Sequence, residues 1–159
     1  MRTLKFYTIL LLLATLFSFA GTGTQKFKCM IQMTNYEGEG AYVVISLIHP
    51  KGHYEKTLYV QGDDSEWYHE LTSWWKFYGK KRTGLDGITG STIGGGERAM
   101  SVIQLDPSTI DKGYKLRFES AVEAKNYFSK DVEFELTTAN LQGKFNGKGF
   151  IRYVRLLPH

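Results

Sequence analysis

An alcohol side chain can take part in group transfer when the chain around it lets a second molecule approach. One stretch of this 159-residue sequence is built that way: Asp86-Gly87-Ile88-Thr89-Gly90-Ser91-Thr92-Ile93-Gly94-Gly95-Gly96-Glu97, in which five of the twelve residues are glycine. Thr89 and Thr92 stand three apart on either side of Gly90, with Ser91 beside the second. Glycine loses much entropy on ordering and has no side chain to pack, so such a run belongs where the backbone turns tightly or comes close to a ligand. The stretch is expected to be a presenting loop. A hydroxyl accepts a phosphoryl group only if another protein can reach it, and the glycines clear side chains from that approach. The Asp86 carboxylate is placed to orient the hydroxyl or to join a metal on the incoming enzyme. A plain connector has the same composition, because Asp-Gly is a common turn dipeptide and Thr-Gly-Ser-Thr occurs in linkers.

The pattern Asp-Gly-x-Thr-Gly-Ser-Thr resembles the acceptor motif of covalently flavinylated bacterial proteins outside the cytoplasm, such as the FMN-binding domains of electron-transfer complexes. In those families an FAD-dependent flavin transferase moves FMN onto the last Thr or Ser as a phosphoester. The resemblance implies Thr92 as acceptor, with Asp86, Gly87, Thr89, Gly90 and Ser91 as the recognition frame. The position that is commonly Ala is here Ser91, similar in size but carrying a competing hydroxyl.

Other candidate chemistry is thinner. His49 and His53 flank the turn Pro50-Lys51-Gly52, yet no third ligand stands at a recognisable spacing, so no metal is expected there. Cys29 is the single cysteine, which excludes an intramolecular disulfide, and its strand-like surroundings suit a small buried hydrophobe better than a redox thiol. No Gly-x-Ser-x-Gly elbow occurs, and Gly90 to Gly96 lacks the Gly-Lys-Ser/Thr ending of a nucleotide loop. No catalytic residue is assigned.

The start of the chain sets the compartment. Arg2 and Lys5 precede a mostly apolar run from Tyr7 to Phe19, and Ser18-Phe19-Ala20 offers small residues where a signal peptidase cuts. Residues 1–20 therefore read as a signal peptide, 21–25 as a flexible mature N-terminus and 26–159 as one domain, exported and periplasmic. Without Arg2 and Lys5, 18 basic residues face 16 acidic ones, a balance too even for a nucleic-acid partner. The 14% aromatic content can fill a substantial core at this length.

Hydrophobic periodicity supplies the elements that must position the loop. Phe27, Cys29, Ile31 and Met33 alternate as a half-buried strand, and Ala41 to Ile48 is nearly continuous and β-branched, as a central strand would be. Tyr54 to Val60 completes a hairpin with it. In residues 63–78, Trp67, Leu71, Trp74, Trp75 and Tyr78 recur at helical spacing; Asp63 is the expected N-cap, with Glu66 three residues on, and Gly79 the expected stop. Further strands are expected at Ala99–Leu105, Tyr114–Ala121, Asp131–Leu136 and Phe150–Leu157, and Asn146-Gly147 favours a two-residue hairpin turn. About eight strands and one amphipathic helix make a mainly β chain, an antiparallel immunoglobulin-like β-sandwich. A flavin on the loop would want a flat apolar neighbour and a cation. Trp74, Trp75, Phe77 and Tyr78 are the candidates for the first, and Lys80, Lys81, Arg82 or Arg98 for the second, although core packing alone explains the aromatics better.

With that order laid out, the chain resembles the exported bacterial family of predicted periplasmic proteins known as domain of unknown function twenty-two seventy-one. The likeness is carried by Ala41-Tyr42-Val43-Val44, Lys56-Thr57-Leu58, Trp67 with Leu71 to Trp75, Asp86 to Thr92, and the Tyr114 strand to Glu119 and Ala121. Members often carry Trp-Asp-Gly after the glycine loop, where this chain has Gln104-Leu105-Asp106-Pro107. The resemblance implies a flavin-carrying electron-transfer protein, with an FAD-dependent flavin transferase and a PepSY-type membrane redox protein as partners. The alternative is a periplasmic sandwich that binds or supports without a cofactor.

Overall fold

The computed structural model describes residues 23–158 apart from 63, 82–83 and 86–87. The expected signal peptide therefore lies outside the described residues, as do the expected N-cap Asp63 and the motif residues Asp86 and Gly87.

Among the described residues, nine strands form two stacked sheets. They are β1 (Gln25–Met33), β2 (Tyr42–Ile48), β3 (Tyr54–Gln61), β4 (Thr89–Gly90), β5 (Arg98–Leu105), β6 (Lys115–Ala121), β7 (Tyr127–Glu135), β8 (Lys144–Asn146) and β9 (Ile151–Pro158). One sheet has the order β5-β1-β9-β8 and the other β4-β3-β2-β6-β7. The expected β-sandwich is what forms. All pairs are antiparallel except β3 with β4, which run parallel, with Val60 opposite Thr89 and Gln61 opposite Gly90. The short strands β4 and β8 were not expected, because two or three residues carry no periodicity to read.

Alternation decides which side chains meet between the sheets. On β1, Phe27, Cys29, Ile31 and Met33 point inward and are buried, against Ile103 and Leu105 of β5 and Val154 and Leu156 of β9 in one cluster. β2 is buried along its whole length because both its faces are covered. Val43, Ile45 and Leu47 face the other sheet, while Tyr42 and Val44 face a second, more aromatic cluster beneath the helical segment. That double burial is why its sequence is a continuous apolar run rather than an alternating one.

The helical segment differs from the single helix expected. Asp64 caps it, its carboxylate accepting from the Glu66 amide at 2.9 Å. Residues Ser65–Glu70 form a 3₁₀ helix, and α1 (Thr72–Lys81) follows after Leu71, fully buried with non-helical torsions. The Tyr68 hydroxyl donates to the Gly62 carbonyl at 2.8 Å, anchoring the first piece to the end of β3. Gly79 lies inside α1 and does not stop it. Trp74, with no exposed surface, donates its indole N–H to Thr57 Oγ1 at 2.9 Å, pinning the helix across β3. No helix among the described residues is long and apolar enough to cross a membrane.

The turn after Asn146 is also not the tight one expected. Residues 147–150 separate β8 from β9, and the amides of Lys148, Gly149 and Ile151 converge on the carboxylate of Asp131 in β7 at 2.8, 2.7 and 2.9 Å. One side chain of the five-stranded sheet thus fixes a turn of the four-stranded one.

Candidate functional site

The glycine-rich stretch carries the chain from one sheet to the other. It begins as the edge strand β4, where the Val60 amide donates to Ile88 O at 2.8 Å and the Gly62 amide to Gly90 O at 2.5 Å. Gly90 packs closely here: a Cβ would stand 2.8 Å from both Tyr59 Oη and Gln61 Oε1, and the ends of those two side chains would have to shift to admit it. Ile93 then forms an isolated antiparallel bridge with Ala41, with amide-to-carbonyl bonds of 2.8 and 3.1 Å, and its side chain enters the inter-sheet core. The Tyr36 hydroxyl braces this bridge, donating to Ile93 O and accepting from the Ala41 amide. Beyond it, Glu97 Oε2 accepts from the Gly94 amide at 2.9 Å, and Gln32 Nε2 donates to the carbonyls of Gly96 and Glu97 at 2.9 and 3.0 Å. The segment is therefore tied down on both sides and is not the freely presented loop expected.

What it does present is short. Between β4 and the Ile93 bridge, Ser91 is exposed and Thr92 half-buried. Thr92 lies against Gly40, where a Cβ would run into its Oγ1; by strand alternation this is the face of the sheet that carries Tyr42. Thr92 Oγ1 has no hydrogen-bond partner among the described residues. The sequence motif is thus brought to one edge of the five-stranded sheet: Thr89 and Gly90 pair with β3, while Ser91 and Thr92 turn out past its end.

The surroundings expected for a flavin ring are elsewhere. Trp74 is enclosed, with Tyr78 stacked on it at 4.9 Å, and Phe77 stacks on Tyr54 at 5.3 Å. Tyr54 opens β3, whereas Gly90 pairs at its last residue, Gln61. Seven residues of extended chain separate the two ends, about 23 Å. Lys80 lines a groove of about 360 Å³ with His53, Tyr54 and Phe77, at the far end of β3 from Thr92. Arg98 gives its Nε to Gln32 Oε1 at 3.0 Å. Another groove, of about 430 Å³ beside Leu58, Leu105 and Tyr114, does not include Thr92 either. Trp74 is enclosed in the core, Trp75, Phe77 and Tyr78 are partly buried against the same cluster, and the groove that Phe77 lines lies away from Thr92, so the residues present fit a tether on Thr92 but put no ring slot beside it.

Two other sequence candidates take definite places. Cys29 is fully buried, and burial pushes its thiol up to about 12, which makes it an inert core residue. His49 and His53 stack at the β2–β3 turn, and Glu55, one strand period beyond His53, supplies the third donor that the residue spacing had not suggested. The signal was available, since residues i and i+2 of a strand share a face.

A polar group that sequence reasoning passed over is the buried Glu119 of β6. It accepts from Tyr54 Oη at 2.6 Å and from Tyr127 Oη, and the Tyr127 oxygen accepts the Ser73 amide of α1 at 3.1 Å. Burial raises the Glu119 carboxyl above the ordinary value of 4.5, while the hydrogen bonds from Tyr127 and Tyr54 and the charge of Arg117 pull it back. Arg117 pairs with Glu133 at 2.6 Å and lies 5.2 Å over the Tyr54 ring. This network seats the helix.

Over residues 24–153 the sequence matches the family described as "Predicted periplasmic protein (DUF2271)". The chain belongs to that family. It is accordingly an exported, periplasmic protein, in agreement with its leader-like start. No curated protein and no solved structure matches it.

Proposed function

We propose that this periplasmic sandwich carries FMN as a phosphoester on Thr92 and passes electrons to or from a PepSY-type membrane redox protein. The observation that carries the reading is the state of Thr92 Oγ1: half-buried against Gly40 at a sheet edge, and without a hydrogen-bond partner among the described residues. A hydroxyl so placed is held by the backbone around it, yet no other described residue engages its oxygen. The motif residues Thr89, Gly90 and Ser91 lead directly to it, and the periplasmic family sets the compartment in which such carriers work.

In attachment, Thr92 Oγ1 gives up its proton to the FAD-dependent flavin transferase as it takes the FMN phosphate from FAD, with AMP as the leaving group. Once bound, the flavin supplies reversible electron transfer, and the chain contributes its position. With no ring slot from α1 beside Thr92, the tethered ring rests on the outer edge near Tyr42 or against a partner protein.

Co-expression with a flavin transferase followed by intact-mass spectrometry tests this. The expected result is one FMN adduct per chain, lost in Thr92→Ala, kept in Thr92→Ser and unaffected by Ser91→Ala. The rival is a cofactor-free sandwich, and one observation favours it: Gly90 lets Tyr59 and Gln61 pack closely on it, a structural use that holds whether or not an enzyme ever reads it. An absent adduct, or one that follows the exposed Ser91, decides for that rival or for a different acceptor.

A further inference from the structure

We propose that the β2–β3 turn is a divalent-metal site, with His49, His53 and Glu55 as donors, suited to an ion with the preferences of zinc. It is independent of the flavin reading and sits at the opposite end of β3 from Thr92.

The turn is rigidly made. The His49 amide donates to His53 O at 2.9 Å and the Gly52 amide to His49 O at 2.8 Å, which brings the two histidine positions together across the hairpin. Their rings stack with centroids 4.4 Å apart and planes 14° apart, and the edge of Tyr114 packs on His49 at 5.3 Å. His53 Nε2 stands 3.8 Å from Glu55 Oε2, and one donor atom from each of the three residues lies within 4.8 Å of the others. Two imidazoles and a carboxylate are a donor set that zinc favours, with bonds of about 2.0–2.2 Å and therefore donors about 3.3 Å apart. His53 and Glu55 are exposed, so rotation of their side chains can close the remaining distance. A surface ion pair accounts for His53 and Glu55 but not for the placing of a second imidazole on the first. Three protein donors leave a fourth position open to water or to a ligand from a partner.

A specific reporter is built in. His49 Nδ1 accepts the Lys51 amide at 3.0 Å, so in the metal-free ring that nitrogen carries the lone pair. A metal on Nδ1 takes the lone pair directly; a metal on Nε2 moves the ring proton to Nδ1, which then meets the Lys51 N–H donor to donor. Either route breaks the Lys51 bond.

Zinc chloride alone is titrated into the untagged mature chain, with calorimetry for stoichiometry and amide NMR for the turn. Expected are one ion per chain, a large shift of the Lys51 amide, and an affinity lowered in His53→Ala and in Glu55→Gln by more than the roughly 10–100-fold typical of losing an outer-shell partner. His69→Ala leaves binding unchanged. Glu55→Gln preserves the shape of the turn, so its loss of affinity cannot be blamed on misfolding. Absence of binding at micromolar zinc, binding that survives Glu55→Gln or depends on His69, or a stationary Lys51 amide overturns the proposal.

Discussion

Asp131 and Glu119 are both without exposed surface in the same five-stranded sheet, and they are satisfied in opposite ways. Asp131 faces backbone: three amides of the β8–β9 turn and the Ser120 hydroxyl, the last at 2.5 Å. The pairing of β6 with β7 slips between Phe118 opposite Val132 and Ser120 opposite Phe128, and this bulge aims the carboxylate across to the other sheet. Glu119 faces mostly side chains: two tyrosine hydroxyls on the helix side of β6, with the backbone of Trp74 in α1 adding a further bond. Backbone amides cannot turn away to find other partners, whereas phenol groups can adjust. The first carboxylate therefore joins the two layers of the sandwich, and the second seats a helix on a sandwich already formed.

If that contrast holds, Asp131→Ala has the largest effect. It leaves the buried Ile151 amide and Ser120 hydroxyl without their acceptor, while water can reach the part-buried amides of Lys148 and Gly149; each buried group costs about 1–3 kcal/mol, so a loss of about 3 kcal/mol is expected. Asp131→Asn recovers part of it, since one oxygen remains to accept. Urea denaturation gives the magnitude. Hydrogen exchange sharpens it, because the amides of Lys148, Gly149 and Ile151 should lose protection before those of β2 and β3.

On the other side of the sheet, Tyr127→Phe removes one donor to Glu119 and the acceptor of the Ser73 amide. Ser73 is half-exposed in the first turn of α1, where water can reach the freed amide, so a loss of about 1–2 kcal/mol is expected. The near-ultraviolet signal of Trp74 should weaken with it, and the protection of the β8–β9 turn should not change. Equal loss of protection on both sides would mean that the two carboxylates belong to one cooperative unit.

The same contrast explains what the sequence made legible. Inward alternation on β1, double burial of β2 and the apolar stripe through Leu71 and Trp74 all depend on residues close in sequence, and each was readable. The Asp131 clamp joins groups 17 to 20 residues apart through a bulge, which leaves no local pattern. β4 pairs only because the chain returns from α1 alongside β3, a fact of topology that glycine-rich sequence cannot announce. At the candidate site, Thr92 was legible as an alcohol among glycines, but the packing duty of Gly90 and the distance from Thr92 to Phe77 and Lys80 depend on the register of β3. Glu55 is the opposite case. Strand alternation from His53 points to it, and only the search for histidine spacings concealed it.

The smallest effect is the most discriminating, because it changes with pH. Burial raises the folded-state carboxyl of Glu119 above its ordinary 4.5. Below that value the group is protonated in folded and unfolded chains alike, and its contribution is fully present. As pH rises, the unfolded chain ionises first, while the folded chain must hold either a proton or a desolvated charge; the contribution is lost as pH climbs through the raised folded value. Glu119→Gln removes the titration and keeps an oxygen for one tyrosine, with an amide that the other hydroxyl can accept. The variant should differ from wild type by about 1 kcal/mol or less at pH 4, the scale of a single rearranged hydrogen bond. Between pH 4 and pH 8 the difference should move steadily in the variant's favour. Denaturation of both proteins across that range measures it. A difference that stays flat, or moves toward wild type with rising pH, would show that the tyrosine hydroxyls stabilise the Glu119 charge as fully as the turn amides hold Asp131, and the contrast between the two carboxylates would fail.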